Sequence, residues 1–393
     1  MKKIFFTLLL FTTAIFSQTD TEVYVYDIVE TKNKIDLQNG INISNSKGYD
    51  SQPYFFDDKR VIFAATRNGN TDIALYDLKQ NNPSLYYISN TENGGEYSPQ
   101  RIPNSSNISA VRLDKDGLQR FYSYNYKTKV SKELIADLKV AYPTWYNANT
   151  VIAVSIINDS LELYVVDLKK KTHISVAKNV GRSVHKIPNS NLVSFINKEN
   201  KDAWLLQSLN PVTKEIKTIT PIGRSEDITW LPNGTFLISK NKSIYQFNPE
   251  KDKNPRLFYS FSDENINNIS RMAVNASGTK IAIVAETSPR HLAQEQLEGY
   301  NNRDIEAFLK PYAKDVKVYS FPNKLNYEGI ENMRKRYTGF FKNTPDLHCK
   351  LVNRIVYKDK VIDHELVTSN GAEFKAVAIY TIKNGKISSV TFM

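Results

Sequence analysis

The sequence predicts a multidomain protein: an all-β six-bladed propeller over residues 18–287, then an α+β unit over residues 288–393 with helices on one face of a curved antiparallel sheet. Three observations carry this reading. Two independent markers recur about every 44 residues through the first part, the length of a four-stranded propeller blade. In the last part, helical periodicity comes first and strict alternation follows, the order of an α+β unit. The aromatic residues (Tyr 23, Phe 19, Trp 3) often alternate with polar ones, as they do in sheet.

Residues 1–17 are expected to be a signal peptide. Met1-Lys2-Lys3 is a short positive start, Ile4 to Phe16 is apolar apart from its threonines, and Ser17 offers a small residue for cleavage. The apolar run falls short of the ~20 residues that span a bilayer. No cysteine follows it, so the lipoprotein route is closed. The mature chain is expected to begin near Gln18 and to be exported, periplasmic or secreted, without a membrane span.

The first marker opens each repeat: Pro53, Pro99 and Pro143, with weaker copies at Val184, Ile228 and Arg271. The second closes it: Ile43-Ser44, Ile88-Ser89, Leu134, Ile174-Ser175 and Ile219-Thr220. Between them the strands keep one order. Arg60–Ala65 is an apolar strand, Arg67-Asn68-Gly69-Asn70 a turn whose Asn and Gly tolerate positive φ, and Asp72–Leu78 an alternating strand that Leu161–Leu168 copies. The last repeat holds only its first two strands, near Met272–Asn275 and Lys280–Ala285. Glu22–Ile28 and Lys34–Ile43 copy the missing two, so the N-terminal strands are expected to complete the sixth blade and close the ring, covering edges left open otherwise.

These residues carry a resemblance. Ser-x-Pro followed by Asp57–Phe63 and Gly69–Leu78 resembles the TolB-type propeller repeat, the PD40 or WD40-like family, and Asn275-Ala276-Ser277-Gly278-Thr279-Lys280 is similar to its Ser-Pro-Asp-Gly-Lys turn. The resemblance implies a recognition scaffold for a protein, peptide or glycan of the envelope. It transfers no catalytic residue, and fold alone does not fix function.

From residue 288 the pattern changes. Ser288-Pro289 reads as a helix N-cap with proline at the first helical position, followed by Ala293, Leu297 and Tyr300 at helical spacing. Asp304 caps a second helix, and a third sets Ile330, Met333, Tyr337, Phe340 and Phe341 on one side. After Pro345 four alternating strands follow, Cys349–Tyr357, Val361–Val367, Phe374–Ile382 and Ile387–Phe392. Their turns are Lys358-Asp359-Lys360, Asn370-Gly371 and Asn384-Gly385.

This order, with Gln296–Phe308, Tyr312–Val318 and the hairpin Lys383–Ile387, resembles the NTF2-like superfamily and its SnoaL-like members. The resemblance implies a cone whose apolar interior holds a small molecule, and relatives that are isomerases, cyclases, dehydratases, or binding and dimerisation modules. Ketosteroid isomerisation uses an aspartate base with a tyrosine and a protonated aspartic acid as oxyanion hole. The matching positions hold Ser320 (with Phe321 inserted before Pro322), Gln296 and Ala378, so that catalytic set is absent. Strand alternation puts Ile362, His364 and Leu366 on one face and Val361, Asp363, Glu365 and Val367 on the other. The apolar set is expected to line the cone, leaving His364 as its titratable group, an acid/base or hydrogen-bond anchor. Gln296, Ser320, Phe321, Tyr337 and Tyr380 are expected to share the pocket.

Other chemistries are excluded by what is missing. The charge of +11 (52 Lys+Arg, 41 Asp+Glu) is spread along the chain, so a nucleic-acid surface is not expected; its densest cluster, Arg334-Lys335-Arg336, reads as a solvated helix face. One cysteine rules out a disulfide within the chain, the five histidines lack ligand spacing, and no nucleophile elbow or phosphate loop occurs. No metal or cofactor is expected. Three readings of function remain. One is a binding protein with a recognition face on the propeller and a small apolar ligand in the cone, or a cone that pairs with a second copy. The second is an enzyme of the cone, of isomerase, cyclase or dehydratase type, using His364. The third makes the whole chain an envelope interaction protein that takes its partners through the propeller.

Overall fold

The structure is a computed structural model. It describes residues 21–393 apart from 32–33, 47, 81–82, 93, 264–265, 287–288 and 384. The expected signal peptide, the N-cap Ser288 and the turn residue Asn384 lie outside the described residues.

Six sheets of four strands follow one another, as the repeat predicts. Their first strands are Ser51–Asp57, Gly95–Arg101, Val140–Asn147, Val180–Lys186, Ile228–Trp230 and Asn267–Val274. A single parallel bridge from Thr71 to Gly95 joins the first two into one eight-stranded sheet. In the sixth, the strand Thr21–Thr31 pairs antiparallel with Lys280–Glu286, setting Val23 opposite Val284, and Lys34–Asn42 pairs outside it. The N-terminal strands therefore close the ring. Asn68 and Gly69 take φ of 52° and 83°, both positive, as a tight hairpin between right-twisted strands requires.

The core is segmented. Clusters of buried Val, Ile, Leu and Phe lie within and between neighbouring blades, and polar ties repeat with them. Trp145 Nε1 donates to Ser109 Oγ at 2.8 Å, and Trp230 Nε1 to Ser194 Oγ at 2.9 Å, one blade back in each case. Near the axis, Ser183 Oγ accepts from the Ile228 amide (3.1 Å) and an Asp227 carboxylate oxygen from the Met272 amide (2.9 Å). Met272, not Arg271, is thus the counterpart of Ile228 in the sixth blade, a shift of one residue from the sequence marker.

The C-terminal unit contains α1 (Pro289–Asn301), α2 (Ile305–Leu309), β1 (Tyr312–Ser320), β2 (Lys324–Glu328), α3 (Ile330–Asn343), β3 (His348–Tyr357), β4 (Lys360–Ser369), β5 (Ala372–Lys383) and β6 (Lys386–Phe392). They form one sheet in the order β2-β1-β6-β5-β4-β3. The four-strand meander is present, but the hairpin β1–β2 between the second and third helices was not anticipated, and β1 runs parallel to β6. The sheet is therefore mixed. In β1 only Val316, Lys317 and Val318 alternate, buried, half-buried and buried, while Lys314 and Asp315 are both exposed, so the alternation is too short to mark a strand. Asp304 caps α2, its Oδ1 accepting from the amides of Glu306 and Ala307. Gly299 lets α1 approach α2: a β-carbon there would meet the Phe308 amide nitrogen at 2.3 Å.

Candidate functional site

The three helices cover one face of this sheet, and the space between them is the candidate site. On α1, Leu292, Ala293, Gln296 and Leu297 are buried, a helical stripe with one polar member. From β4, the buried side chains are Val361, Asp363, Glu365 and Val367. Ile362, His364 and Leu366 occupy the opposite, outer face. The expectation for His364 is therefore corrected: it does not line the cone.

The reason is a set of compensating partners for the two buried carboxyls. Arg354 on β3 stands in register with Asp363. Its Nε and one terminal nitrogen each donate to Asp363 at 2.7 Å, and the other terminal nitrogen donates to Gln294 Oε1 at 2.9 Å. The pair is almost sealed, with side chains 3% and 0% exposed. Such a bidentate, fully bonded pair offsets much of the cost of taking both charges out of water. Glu365 has softer partners. Tyr380 Oη donates to Glu365 Oε1 at 3.3 Å, and Cys349 bonds to the same carboxyl.

Glu365 also belongs to a chain of polar groups. Gln296 Nε2 donates to Tyr380 Oη at 2.8 Å, and Tyr312 Oη donates to Gln296 Oε1 at 3.3 Å. Burial pushes the Glu365 carboxyl up to about 7; the neighbouring Asp363 charge adds to this, while Tyr380, Cys349 and Arg354 pull the other way. Burial likewise raises the Cys349 thiol to about 12 and holds the Tyr312 and Tyr380 hydroxyls well above their ordinary value. Near neutral pH, Glu365 is thus the group here that can hold or release a proton.

Beside this network lies a cavity of about 620 Å³ lined by Tyr300, Val318, Leu325, Tyr327, Tyr337, Phe340 and Phe392, with Lys324, Asn326 and Arg336 supplying polar groups. Its wall is continuous with a packed aromatic cluster: the Tyr337 ring lies 4.4 Å from Phe308 and 6.2 Å from Tyr300. The Arg336 guanidinium sits over the Tyr327 ring at 4.6 Å. Glu365 does not line this cavity; burial first, and its charge in smaller part, raises the Tyr300 and Tyr337 hydroxyls that do.

Of the residues expected in the pocket, Tyr337 lines the cavity, and Gln296 and Tyr380 form the polar network behind it. Ser320 lies at the end of β1 and accepts from the Asn326 amide at 3.0 Å, so it reaches the cavity through Asn326 alone. Phe321 does not share the pocket: it is 58% exposed at the β1–β2 turn. Sequence reasoning missed Glu365, Tyr312, Cys349 and the pair Arg354–Asp363. Arg354 falls on the neighbouring strand of a hairpin whose turn had been located, and that cross-strand cation was the available signal. Among the described residues no group of three His, Cys, Asp or Glu is placed to hold a metal ion.

The model of the SnoaL-like domain family matches residues 293–390. Among solved structures, the chain is similar to an uncharacterized cystatin-fold protein of Novosphingobium aromaticivorans (22% identity, 27% of this chain and 98% of that one, TM-score 0.27). It is also similar to a putative SnoaL-like polyketide cyclase of Jannaschia (15% identity, 27% and 83%, TM-score 0.24). A longer stretch is similar to a putative TolB of Agrobacterium tumefaciens (11% identity, 68% and 99%, TM-score 0.49). No curated protein matches the chain. With the strand order described above, residues 293–390 form a SnoaL-like domain that follows a six-bladed β-propeller.

Proposed function

We propose that this chain is an exported two-domain binding protein whose SnoaL-like cone holds a small, largely apolar molecule and whose propeller is the recognition scaffold for an envelope protein, peptide or glycan. The observation that carries the first part is the cavity of about 620 Å³ walled by Tyr300, Tyr327, Tyr337, Phe340 and Phe392. Concave, mainly aromatic sites with a few polar groups are where small molecules bind. Lys324 and Arg336 are both exposed at this site, which favours a ligand with a negative end. The export reading is supported by the leader-like residues 1–17. It is compatible with the finding that no helix among the described residues is long and apolar enough to cross a membrane.

The binding reading is tested with the neutral fluorescent probe N-phenyl-1-naphthylamine on the full chain. One saturable site is expected, weakened about tenfold by Phe340→Lys, because the new ammonium must be desolvated when the probe fills the cavity. Phe340 is 36% exposed, so the variant keeps its fold. Equal binding by wild type and variant would place the probe elsewhere and contradict the reading.

Two further readings rest on specific observations. An enzymatic cone would draw on Glu365 in place of the outward-facing His364, acting through its charge on the Tyr300 and Tyr337 hydroxyls that line the cavity. It predicts turnover whose pH profile bends near 7 and loses that bend in Glu365→Gln; turnover that keeps the bend in the variant excludes it. Pairing of two copies would use the outer face of the sheet, where Ile355 is 54% exposed beside Ile362 in β3–β4 register. Native mass reads this directly, as a doubled or a single chain.

A further inference from the structure

The propeller encloses a second cavity, of about 780 Å³, lined by residues of the innermost strands. Most of that lining is neutral. Five charged side chains line it: Arg101, Lys186 and, from the fourth, fifth and sixth blades, Arg182, Asp227 and Arg271. Their partners are unequal. Asp227 is used twice, accepting from the Met272 amide at 2.9 Å and from Arg271 at 3.3 Å. Arg271 is buried with that carboxylate and also faces the Tyr142 ring, 5.4 Å from its centre.

Arg182 has much less. One terminal nitrogen donates to the Ser270 carbonyl at 2.9 Å, and its Nε is buried with no hydrogen-bond partner. No carboxylate lies within ion-pair distance of it among the described residues. An unpaired guanidinium N–H in a buried position is costly, and native structures leave few such groups without a reason. Arg271 adds to the cost by like-charge repulsion: burial first, then the Arg271 charge, lowers the pKa of Arg182. Burial also lowers that of His185 in the same cavity, so its imidazole is neutral at pH 7. Asp227 is the one carboxylate of the lining, against the guanidiniums of Arg182, Arg271 and Arg101 and the ammonium of Lys186, so the cavity carries uncompensated positive charge.

We propose that the central cavity of the propeller is a carboxylate-binding site in which Arg182, backed by Arg271, receives a single carboxylate of a peptide ligand. The planar guanidinium fork matches a carboxylate and supplies the acceptor that Nε lacks. Asp227 stays beside Arg271 and repels a second negative charge at this cluster, so Arg182 favours a monoanion over a phosphate dianion there. The assignment deepens the reading of the propeller as a recognition scaffold and rests on it. It does not depend on what the cone binds.

The test is calorimetric titration of the full chain with four probes. They are N-acetyl-alanyl-alanine with a free C-terminus, the same peptide amidated, N-acetyl-glutamyl-alanine amide, and inorganic phosphate. A carboxylate probe is expected to occupy one site, weakened at least about tenfold by Arg182→Gln, while the uncharged amide does not bind. Which carboxylate binds more tightly identifies a chain terminus or an acidic side chain as the source. Ligand-free Arg182→Gln is expected to melt no lower than wild type, since glutamine still donates to Ser270 and the repelling charge is gone. Binding of the amide as strong as that of the acids, tighter binding of phosphate, saturation by neither acid, or no effect of Arg182→Gln overturns the assignment. So does a fall of several degrees in the variant's melting temperature, which would mark Arg182 as a structural cation. If Arg182→Gln loses the carboxylate but the propeller still captures an envelope partner, the site is overturned as the recognition element while the scaffold reading survives.

Discussion

Arg354→Met is expected to destabilise the SnoaL-like domain by about 3–5 kcal/mol, because it leaves a buried carboxylate without its partner. Asp363 is fully buried and receives two 2.7 Å hydrogen bonds from Arg354, whose third contact is with Gln294 on α1. The variant removes all three bonds at once. Without the guanidinium, the Asp363 charge also acts unopposed on Glu365, two residues along the same inner face. The double variant Arg354→Met, Asp363→Leu removes both charges together and is expected to recover most of the loss. Urea unfolding followed by circular dichroism measures both. A loss below 1 kcal/mol in the single variant would show that Asp363 is protonated or hydrated and would contradict the sealed pair.

The second large effect depends on pH. The folded-state value of Glu365, about 7, lies above its ordinary 4.5, so between those values the folded chain holds a proton that the unfolded chain has released. Stability from this group is therefore complete below pH 4.5, falls as pH rises towards 7, and levels off above. A difference of this size corresponds to about 3 kcal/mol. Glu365→Gln keeps an acceptor for Tyr380 and carries no charge to bury, so it should be more stable than wild type at pH 8 by up to about 3 kcal/mol and gain nothing at pH 4. Urea midpoints at half-unit steps between pH 4 and 8 check this. Parallel profiles for the two proteins would mean that Glu365 titrates normally.

How much of this was legible in the sequence varied with the kind of signal. The blades were readable because their markers repeat: Pro53, Pro99 and Pro143 each report the same strand, and the orphan strands near Glu22 and Lys34 had only one blade to complete. The β1–β2 hairpin was harder, since a five-residue strand, Lys324–Glu328, has no strong alternation. The failure at His364 has a clearer physical cause. Alternation in Val361–Val367 gave two faces, and hydrophobicity favoured Ile362, His364 and Leu366 as the inner one. The actual inner face carries Asp363 and Glu365, made tolerable by Arg354, Gln294, Tyr380 and Cys349 from three other elements. A single strand cannot show partners that only folding brings together. Gln296 and Tyr380 stand out in the sequence one at a time, but the bond between them, across 84 residues, needed the fold.

A small molecule held in the cone would be seen directly by native mass spectrometry of the full chain purified from its own source without detergent. The predicted result is a mass beginning near Gln18 with a bound adduct of a few hundred daltons, displaced by N-phenyl-1-naphthylamine and absent from Phe340→Lys. The same spectrum reads single against paired chains. A bare chain mass for wild type and variant alike, unchanged when the naphthylamine is added, would contradict the claim and leave the propeller as the working part.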